Sequence, residues 1–176
     1  MALACLLGRH GSGKSTIGAD LIAYGYQHTS AGMLRRLAQA GQFPSDVPAA
    51  LMMAMRRERA GSAMSTSTAT KLIEHVTRSP KAILDGFPSC VEHIALLPAD
   101  TVFCVVWTPA LLRLQRLERR GEISKRVWTP GLHSEREAAL PGLIVTLRRS
   151  RRCIFVVNDS TPAVAVARTL EKLAAT

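Results

Sequence analysis

Residues 8–16 read Gly8-Arg9-His10-Gly11-Ser12-Gly13-Lys14-Ser15-Thr16, a glycine followed by four residues and then Gly-Lys-Ser/Thr, which is the phosphate-loop pattern. The apolar run from Ala2 to Leu7 comes directly before it, and a helix with one apolar face is predicted after it. A strand, a glycine-rich turn and a helix in this order are the setting that the motif requires. This context disfavours the alternative of a chance glycine- and serine-rich turn.

The residue types of the loop suit the binding of nucleotide phosphates. Glycines let the backbone turn tightly enough for several N–H groups to point at one set of oxygens. Lys14 supplies a positive charge, and the Ser15 hydroxyl suits a Mg²⁺ ion that bridges the outer phosphates of ATP. We therefore expect Mg²⁺ with ATP as cofactor, bound by Gly8, Gly11, Ser12, Gly13, Lys14, Ser15 and Thr16.

Length and composition predict one globular domain over residues 1–176. The chain is 47% hydrophobic and 20% charged, and no apolar run approaches the ~20 residues of a membrane helix. The N-terminus lacks a basic lead-in and a small-residue cleavage site. We expect a cytoplasmic monomer without a membrane partner. Four scattered cysteines, Cys5, Cys90, Cys104 and Cys153, are interpreted as buried thiols, and a zinc site or a disulfide framework is disfavoured.

The formal net charge is +10, which predicts an anionic partner. Basic residues cluster in 113–126 and again in 148–152. Such clusters are typical of nucleic-acid binding, of a solvated face, or of a cavity that neutralises polyphosphates. We favour the cavity for the first cluster and a solvated helix end for Arg148 to Arg152. Nucleic acid is thus a possible partner but not the favoured one.

The hydrophobic pattern predicts a three-layer α/β fold with a five-stranded parallel sheet and helices on both faces. Two short helices in 45–59 and 65–78 form an inserted lobe over about 30–79. Its methionines either fill gaps in the core, the favoured role, or make an adaptable ligand wall. Residues 121–134 show little periodicity and are predicted to be a short mobile loop, a lid over the site. Asp159, Ser160 or Thr161 is expected to cap the last helix. The predicted strands cover 2–7, 26–29, 81–84, 101–107 and 153–157, and the other helices 14–24, 31–40, 109–120, 134–150 and 161–173.

Two further features point to the same site. Asp85 ends the third strand, where a carboxylate faces the ligand crevice of an α/β sheet. Its functional interpretation is a partner of Mg²⁺ through water, and the alternative is a turn or cap residue. Arg116 and Arg120 are four residues apart, so they project from one side of a helix and could clamp one ligand. A solvated basic face is the alternative.

Several segments together resemble the adenylate kinases and related nucleoside monophosphate kinases, and the resemblance covers nearly the whole chain. Besides the phosphate loop, Thr29-Ser30-Ala31-Gly32-Met33-Leu34-Arg35 resembles their Ser-Thr-Gly-Asp-Met-Leu-Arg segment, and Leu84-Asp85-Gly86-Phe87-Pro88 resembles Leu-Asp-Gly-Phe-Pro-Arg. Residues 116–120 resemble the helix that leads into the lid, and Arg136 the arginine that follows it.

This resemblance implies a role for each matching residue. Lys14 would hold the transferring phosphates, Asp85 the water shell of Mg²⁺, and Arg116 would stack on the donor base. Arg120 and Arg136 would neutralise the phosphoryl group in flight. The acceptor side implied by the resemblance consists of Ser30 and Arg35 on the monophosphate, Met64 on the acceptor base, Gly86 in the matching turn, and His93 at the adenine-reading position.

The chain departs from the family pattern at the acceptor side. Ser89 replaces the arginine expected after Pro88, Gly32 replaces an aspartate, and His93 replaces a glutamine. Loss of a charge-assisted hydrogen bond of ~1.5–3 kcal/mol could cost one to two orders of magnitude in rate, unless another arginine such as Arg36 or Arg126 substitutes. The lid is also too short for a zinc-binding subdomain.

These features predict a short-lid kinase that moves the γ-phosphate of Mg-ATP to a nucleoside monophosphate. The favoured acceptor is AMP, which would give two ADP, while another nucleotide or a non-nucleotide hydroxyl stays open. The alternative is a degenerate ATP-binding module with weak transfer activity that contacts nucleic acid or a protein partner. Ser89 and Gly32 are its best support.

Overall fold

A computed structural model describes residues 2–59, 62–124 and 134–175. Strands and helices alternate along most of the chain, and helices α2, α3 and α4 follow one another between the second and third strands. The elements are β1 Ala2–Leu7, α1 Lys14–Asp20, a 3₁₀ turn Leu21–Tyr24, β2 Gln27–Ser30, α2 Ala31–Gln39, α3 Ala49–Arg57, α4 Thr66–Val76, β3 Lys81–Asp85, a 3₁₀ turn Val91–Leu96, β4 Val102–Trp107, α5 Ala110–Ser124, α6 Ser134–Ser150, β5 Arg152–Val157 and α7 Pro162–Ala174.

The five strands form one parallel sheet in the order β2-β3-β1-β4-β5. The chain runs from β1 to the β2 edge, returns through β3, and then crosses to β4 on the other side of β1. The order therefore reverses at β1, and ligands of such sheets bind outside the carboxyl ends of the strands at this point. The phosphate loop begins directly after β1 at the same place.

Both faces of the sheet are buried, as the continuous apolar strands predict. Alternate residues of β1 enter two separate cores: Leu3 and Leu7 pack with helices α2, α3, α4 and α6, whereas Leu6 packs with α1 and α7. Ile17 of α1 is fully buried in the second core, so the helix that follows the phosphate loop is held firmly against the sheet. The predicted three-layer α/β fold is confirmed.

The predicted start of the lid and the predicted capping of the last helix are not as expected. Helix α5 continues through Ser124, so residues 121–124 are helical and not part of a loop. A single glycine costs a helix only about 1 kcal/mol, which the strong helix formers around Gly121 offset. The remainder of the predicted lid, 125–133, lies outside the described residues. Thr161 stands at the N-cap of α7 but its side chain makes no capping hydrogen bond, and Pro162 supplies the helical φ that starts this helix.

The methionines of the helical lobe belong to the core. Met52 and Met55 are fully buried, Met64 is nearly so, and Met53 is exposed. The favoured interpretation as gap fillers therefore holds for the buried three.

Among the described residues, no helix is both long and apolar enough to cross a membrane.

The prediction of four buried thiols is correct for two of them. Cys5 and Cys104 are buried, while Cys90 and Cys153 are only half-buried. Burial raises the pKa of the Cys5 thiol far above its ordinary value and that of Cys104 to about 12. Burial is also the main cause that raises the pKa of Cys90 and Cys153.

We expect at most two of the four cysteines to react with a thiol reagent at pH 8 while the protein is folded, because reaction requires an accessible thiolate. All four should react after unfolding in guanidinium chloride. A colorimetric thiol titration of both samples measures this, with Cys90→Ala and Cys153→Ala identifying the reactive pair. Rapid labelling of Cys5 or Cys104 in the folded protein would contradict the packing of β1 and β4.

Candidate functional site

The phosphate loop adopts a conformation that only glycine supports at its turning points. Gly8, Gly11 and Gly13 have φ angles of +147°, +78° and +87°. A Cβ atom on Gly8 would lie 2.4 Å from the Val106 carbonyl oxygen, and one on Gly13 would lie 2.3 Å from Asn158 Nδ2. The glycines are therefore required both by backbone conformation and by close approach of neighbouring strands.

Two strand ends hold the turn of the loop in place. The Ser12 carbonyl accepts hydrogen bonds from Asn158 Nδ2 at 2.8 Å and from Thr108 Oγ1 at 3.1 Å. Thr108 follows β4 and Asn158 follows β5, and both are buried. Neither residue was predicted from the sequence. The signal that could have found them is a polar residue at the carboxyl end of an apolar parallel strand.

Arg116 reaches the same loop from helix α5. Its Nη2 donates to Asn158 Oδ1 at 3.3 Å and to the Ser160 carbonyl at 3.4 Å. Its Nη1 is buried and has no hydrogen-bond partner. A buried donor without a partner is costly, so this N–H is suited to an acceptor atom of a bound ligand.

A carboxylate and two hydroxyls meet where β2 and β3 end, beside the start of α1. Ser15 Oγ donates to Asp85 Oδ2 at 2.5 Å, and Ser30 Oγ lies 3.3 Å from the same oxygen. Asp85 is 3% exposed. These hard oxygen donors, beside a loop built for phosphates, fit a Mg²⁺ ion bound partly through water. The three residues were predicted separately, and the structure brings them together.

Lys14 is folded back onto its own loop. Its Nζ donates to the Arg9 carbonyl at 2.9 Å and to Ser12 Oγ at 3.3 Å. The ammonium group therefore already lies within the loop that is predicted to hold the phosphates. The fit to a nucleoside triphosphate thus rests on the glycine loop, this ammonium group and the Nη1 donor of Arg116.

One cavity of about 750 Å³ joins these groups. Its size is within the range of small-molecule sites. The predicted site residues that line it are Gly8, Gly11, Gly13, Lys14, Ser15, Thr16, Ser30, Asp85, Gly86, Arg116 and Arg120. Arg116 and Arg120 therefore face one cavity, as their spacing predicts. Arg136 lies in the first turn of α6. Its side chain lies outside the described residues, so its predicted role stays a prediction.

Arg35 is not among the residues that line this cavity, and its predicted contact with the acceptor phosphate stays a prediction. The guanidinium is buried in the helical lobe, where Nη1 donates to the carbonyls of Arg59 and Ser62, each at 3.3 Å. Burial lowers the pKa of Arg35 from its ordinary value. The next residue, Arg36, lines the cavity instead.

Met64 and His93 form a hydrogen-bond network with Ser89, and their predicted contact with an acceptor base stays a prediction. The Met64 N–H donates to Ser89 Oγ at 3.1 Å, and His93 Nε2 lies 3.0 Å from the Met64 carbonyl oxygen. Ser89 Oγ lies 3.2 Å from His93 Nδ1, and the His93 ring stacks on Phe87. His93 is 1% exposed. The backbone groups of Met64 and both ring nitrogens of His93 are thus already engaged inside the protein.

Two solved structures with a similar fold are kinases. A sugar kinase from a Janibacter species has a TM-score of 0.61 and 17% sequence identity, and the alignment covers 98% of this chain and 94% of the other. A gluconokinase from Sinorhizobium meliloti has a TM-score of 0.59 and 17% identity, with coverages of 99% and 92%. No protein-family model matches the chain, and no curated protein matches it.

The chain therefore shares the fold of these two kinases, a five-stranded parallel sheet with helices on both faces. At this level of identity the likeness concerns the fold alone, and it does not single out the adenylate kinases.

Replacement of Asn158 tests the support of the loop. In Asn158→Ala the buried Ser12 carbonyl loses a donor and Arg116 loses an acceptor, so we expect the Kd for Mg-ATP to rise by about tenfold or more. Asn158→Asp should be no better, because it cannot donate to a carbonyl. Calorimetric titration with Mg-ATP measures the change.

The matched control is Gln39→Ala, which removes an amide-to-carbonyl hydrogen bond to Glu58 on the exposed surface of the lobe. The control should bind Mg-ATP like the wild type. Equal affinity of the Asn158 variants and the control would contradict the role of Asn158 in shaping the loop.

Proposed function

We propose that the protein is a phosphotransferase that moves the γ-phosphate of Mg-ATP to a small acceptor. The observation that carries this proposal is the single cavity shared by the phosphate loop, the Ser15–Asp85–Ser30 cluster and the arginines of α5. Phosphoryl transfer asks a protein mainly to position two substrates and to stabilise spreading negative charge. This cavity contains the groups for both tasks.

The residues divide the work by position. The backbone N–H groups of the loop and Lys14 bind the β- and γ-phosphates, and Arg116 Nη1 offers a further donor on the donor side. Ser15 and Asp85 are the residues that would hold Mg²⁺, which neutralises phosphate charge when bound. Arg120, with Arg136 as the predicted second group, stabilises the charge of the phosphoryl group in transit.

The transfer balances simply. An acceptor oxygen attacks the γ-phosphorus, the bond from that phosphorus to the β–γ bridging oxygen breaks, and ADP leaves with the electron pair. A hydroxyl acceptor also releases one proton, which ends in the solvent, whereas a fully ionised phosphate acceptor has none to lose. No covalent intermediate on the protein is needed.

A compact anionic polyhydroxy compound is the acceptor that the site supports best. The groups predicted to read a nucleobase, Met64 and His93, are engaged with Ser89 inside the protein. The acceptor side of the cavity offers the guanidinium of Arg36 and the hydroxyl of Ser30. These groups suit a carboxylate and several hydroxyls, and one structural neighbour is a gluconokinase.

AMP is the second candidate acceptor. It is favoured by the segments Thr29 to Arg35 and Leu84 to Pro88, which resemble those of the nucleoside monophosphate kinases.

We further propose that the protein acts as a cytoplasmic monomer on small molecules. Size-exclusion chromatography with light scattering tests the monomer.

We expect ADP formation from Mg-ATP to be stimulated by one class of acceptor. The assay offers gluconate and other sugar acids, neutral sugars, and the nucleoside monophosphates singly, beside a sample without acceptor. Lys14→Ala should lower the stimulated rate at least about 100-fold, because it removes a charge aimed at the transferring phosphates. Lys172→Ala, at an exposed position on α7, is the matched control and should leave the rate unchanged.

Each outcome has a distinct meaning. Stimulation by sugar acids supports the preferred acceptor, and stimulation by AMP alone supports the second candidate. If ATP binds but no acceptor stimulates, the kinase proposal is overturned and a degenerate nucleotide-binding module becomes the better interpretation. In that case binding of RNA or DNA with a steep salt dependence would support the nucleic-acid alternative.

A further inference from the structure

The backbone of His10 is held at its N–H and at its carbonyl by two side chains of distant helices. The His10 N–H donates to Glu137 Oε1 at 2.8 Å, and the His10 carbonyl accepts from Arg113 Nη1 at 3.0 Å. The same Arg113 nitrogen lies 3.7 Å from Glu137 Oε1. We call this arrangement of His10, Arg113 and Glu137 the His10 clamp.

The clamp is well placed to be strong. The side chains of Arg113 and Glu137 are only 13% and 23% exposed, so solvent and salt screen their attraction less than at an open surface. Both hydrogen bonds involve a charged partner, and such bonds are about twice as strong as neutral ones. Neither Arg113 nor Glu137 is among the residues predicted to bind nucleotide or acceptor.

The residue held by the clamp, His10, lies between two glycines of the phosphate loop. Gly8 and Gly11 have positive φ angles, and glycine has more backbone freedom than any other residue, so a loop of this kind must be restrained from outside. On the next residue, a Cβ added to Gly11 would lie 2.8 Å from the Arg113 carbonyl oxygen. Helix α5 thus touches the loop with its backbone as well as with the Arg113 side chain.

We propose that Glu137 is a positioning residue that, through the His10 clamp, holds the phosphate loop in its nucleotide-binding shape. This inference rests on the proposed function, because it concerns the same loop. The physical reason is preorganisation: a loop already ordered before ATP arrives loses less conformational freedom on binding. The clamp also joins α6 to the loop, and Arg136, the predicted catalytic arginine, directly precedes Glu137 in the chain.

We expect the loop to bind the phosphates of ATP equally well before and during transfer. This expectation predicts which kinetic constants change. Interactions that bind ground state and transition state alike change KM and leave kcat unchanged. In Glu137→Ala we therefore expect the Kd values of Mg-ATP and Mg-ADP, and the KM for ATP, to rise about tenfold, with kcat within about threefold of wild type. Glu137→Gln should stay within about threefold in all of them, since its side-chain oxygen still accepts from His10.

The experiment combines calorimetry, steady-state kinetics and amide hydrogen exchange. Exchange of the His10 N–H should accelerate in Glu137→Ala and stay slow in Glu137→Gln. Arg113→Ala should also raise the Kd. In the Arg113→Ala/Glu137→Ala double variant the rise in binding free energy should be less than the sum of the two single effects, because both side chains bind the backbone of His10. Glu171→Ala, an exposed glutamate on α7, is the matched control and should behave as wild type.

Three results would overturn the proposal. Tighter nucleotide binding in Glu137→Ala and Glu137→Gln would show that the carboxylate competes with phosphate instead of ordering the loop. Unchanged affinity would show that the loop does not depend on the clamp. A fall in melting temperature with unchanged affinity would assign Glu137 a purely structural role. If wild type binds Mg-ATP but transfers to no acceptor, the proposed function fails while the affinity and exchange measurements still decide the clamp.

Discussion

The conformation of the phosphate loop is the constraint on which the rest of the site depends. Its glycines allow the chain to turn, but they also allow many other shapes. The native shape is selected by neighbours: Asn158 and Thr108 bind the Ser12 carbonyl, and Glu137 and Arg113 bind the peptide of His10. These four residues come from the ends of β4 and β5 and from α5 and α6, so the loop is held by elements from the second half of the chain.

Part of the positive charge of the protein is concentrated at the cavity. A net charge of +10 would by itself fit nucleic-acid binding as well as a polyphosphate site. Arg116, Arg119 and Arg120 line the same cavity as the phosphate loop, which concentrates positive charge where phosphate is expected. In the second cluster, Arg148 lies over the Phe155 ring and Arg151 donates to the carbonyls of Ala99 and Ile94. These are contacts within the protein, at the end of α6 far along the chain from the loop.

The two substitutions at the acceptor side act together. Ser89 and His93 stand where the family pattern has an arginine and a glutamine, and in the structure they bind each other and the backbone of Met64. A buried histidine whose nitrogens are both paired is stable inside a protein. Because Ser89, His93 and the Met64 backbone bind one another inside the protein, they support our proposal of a compact acceptor.

The sequence alone determined the fold class, the strand and helix order and the identity of the phosphate loop, because apolar periodicity and glycine spacing are local properties. The rule that ligands bind at the carboxyl ends of parallel strands also pointed to Asp85, whereas the structure brought Ser15 and Ser30 to the same carboxylate. Only the tertiary structure decided which side chains complete the site. Asn158 and Ser12 are separated by 146 positions and Glu137 and His10 by 127, so no local pattern connects them. It also decided between Arg35 and Arg36, because successive residues of a helix point about 100° apart and only the packing of α2 sets which of them faces the cavity.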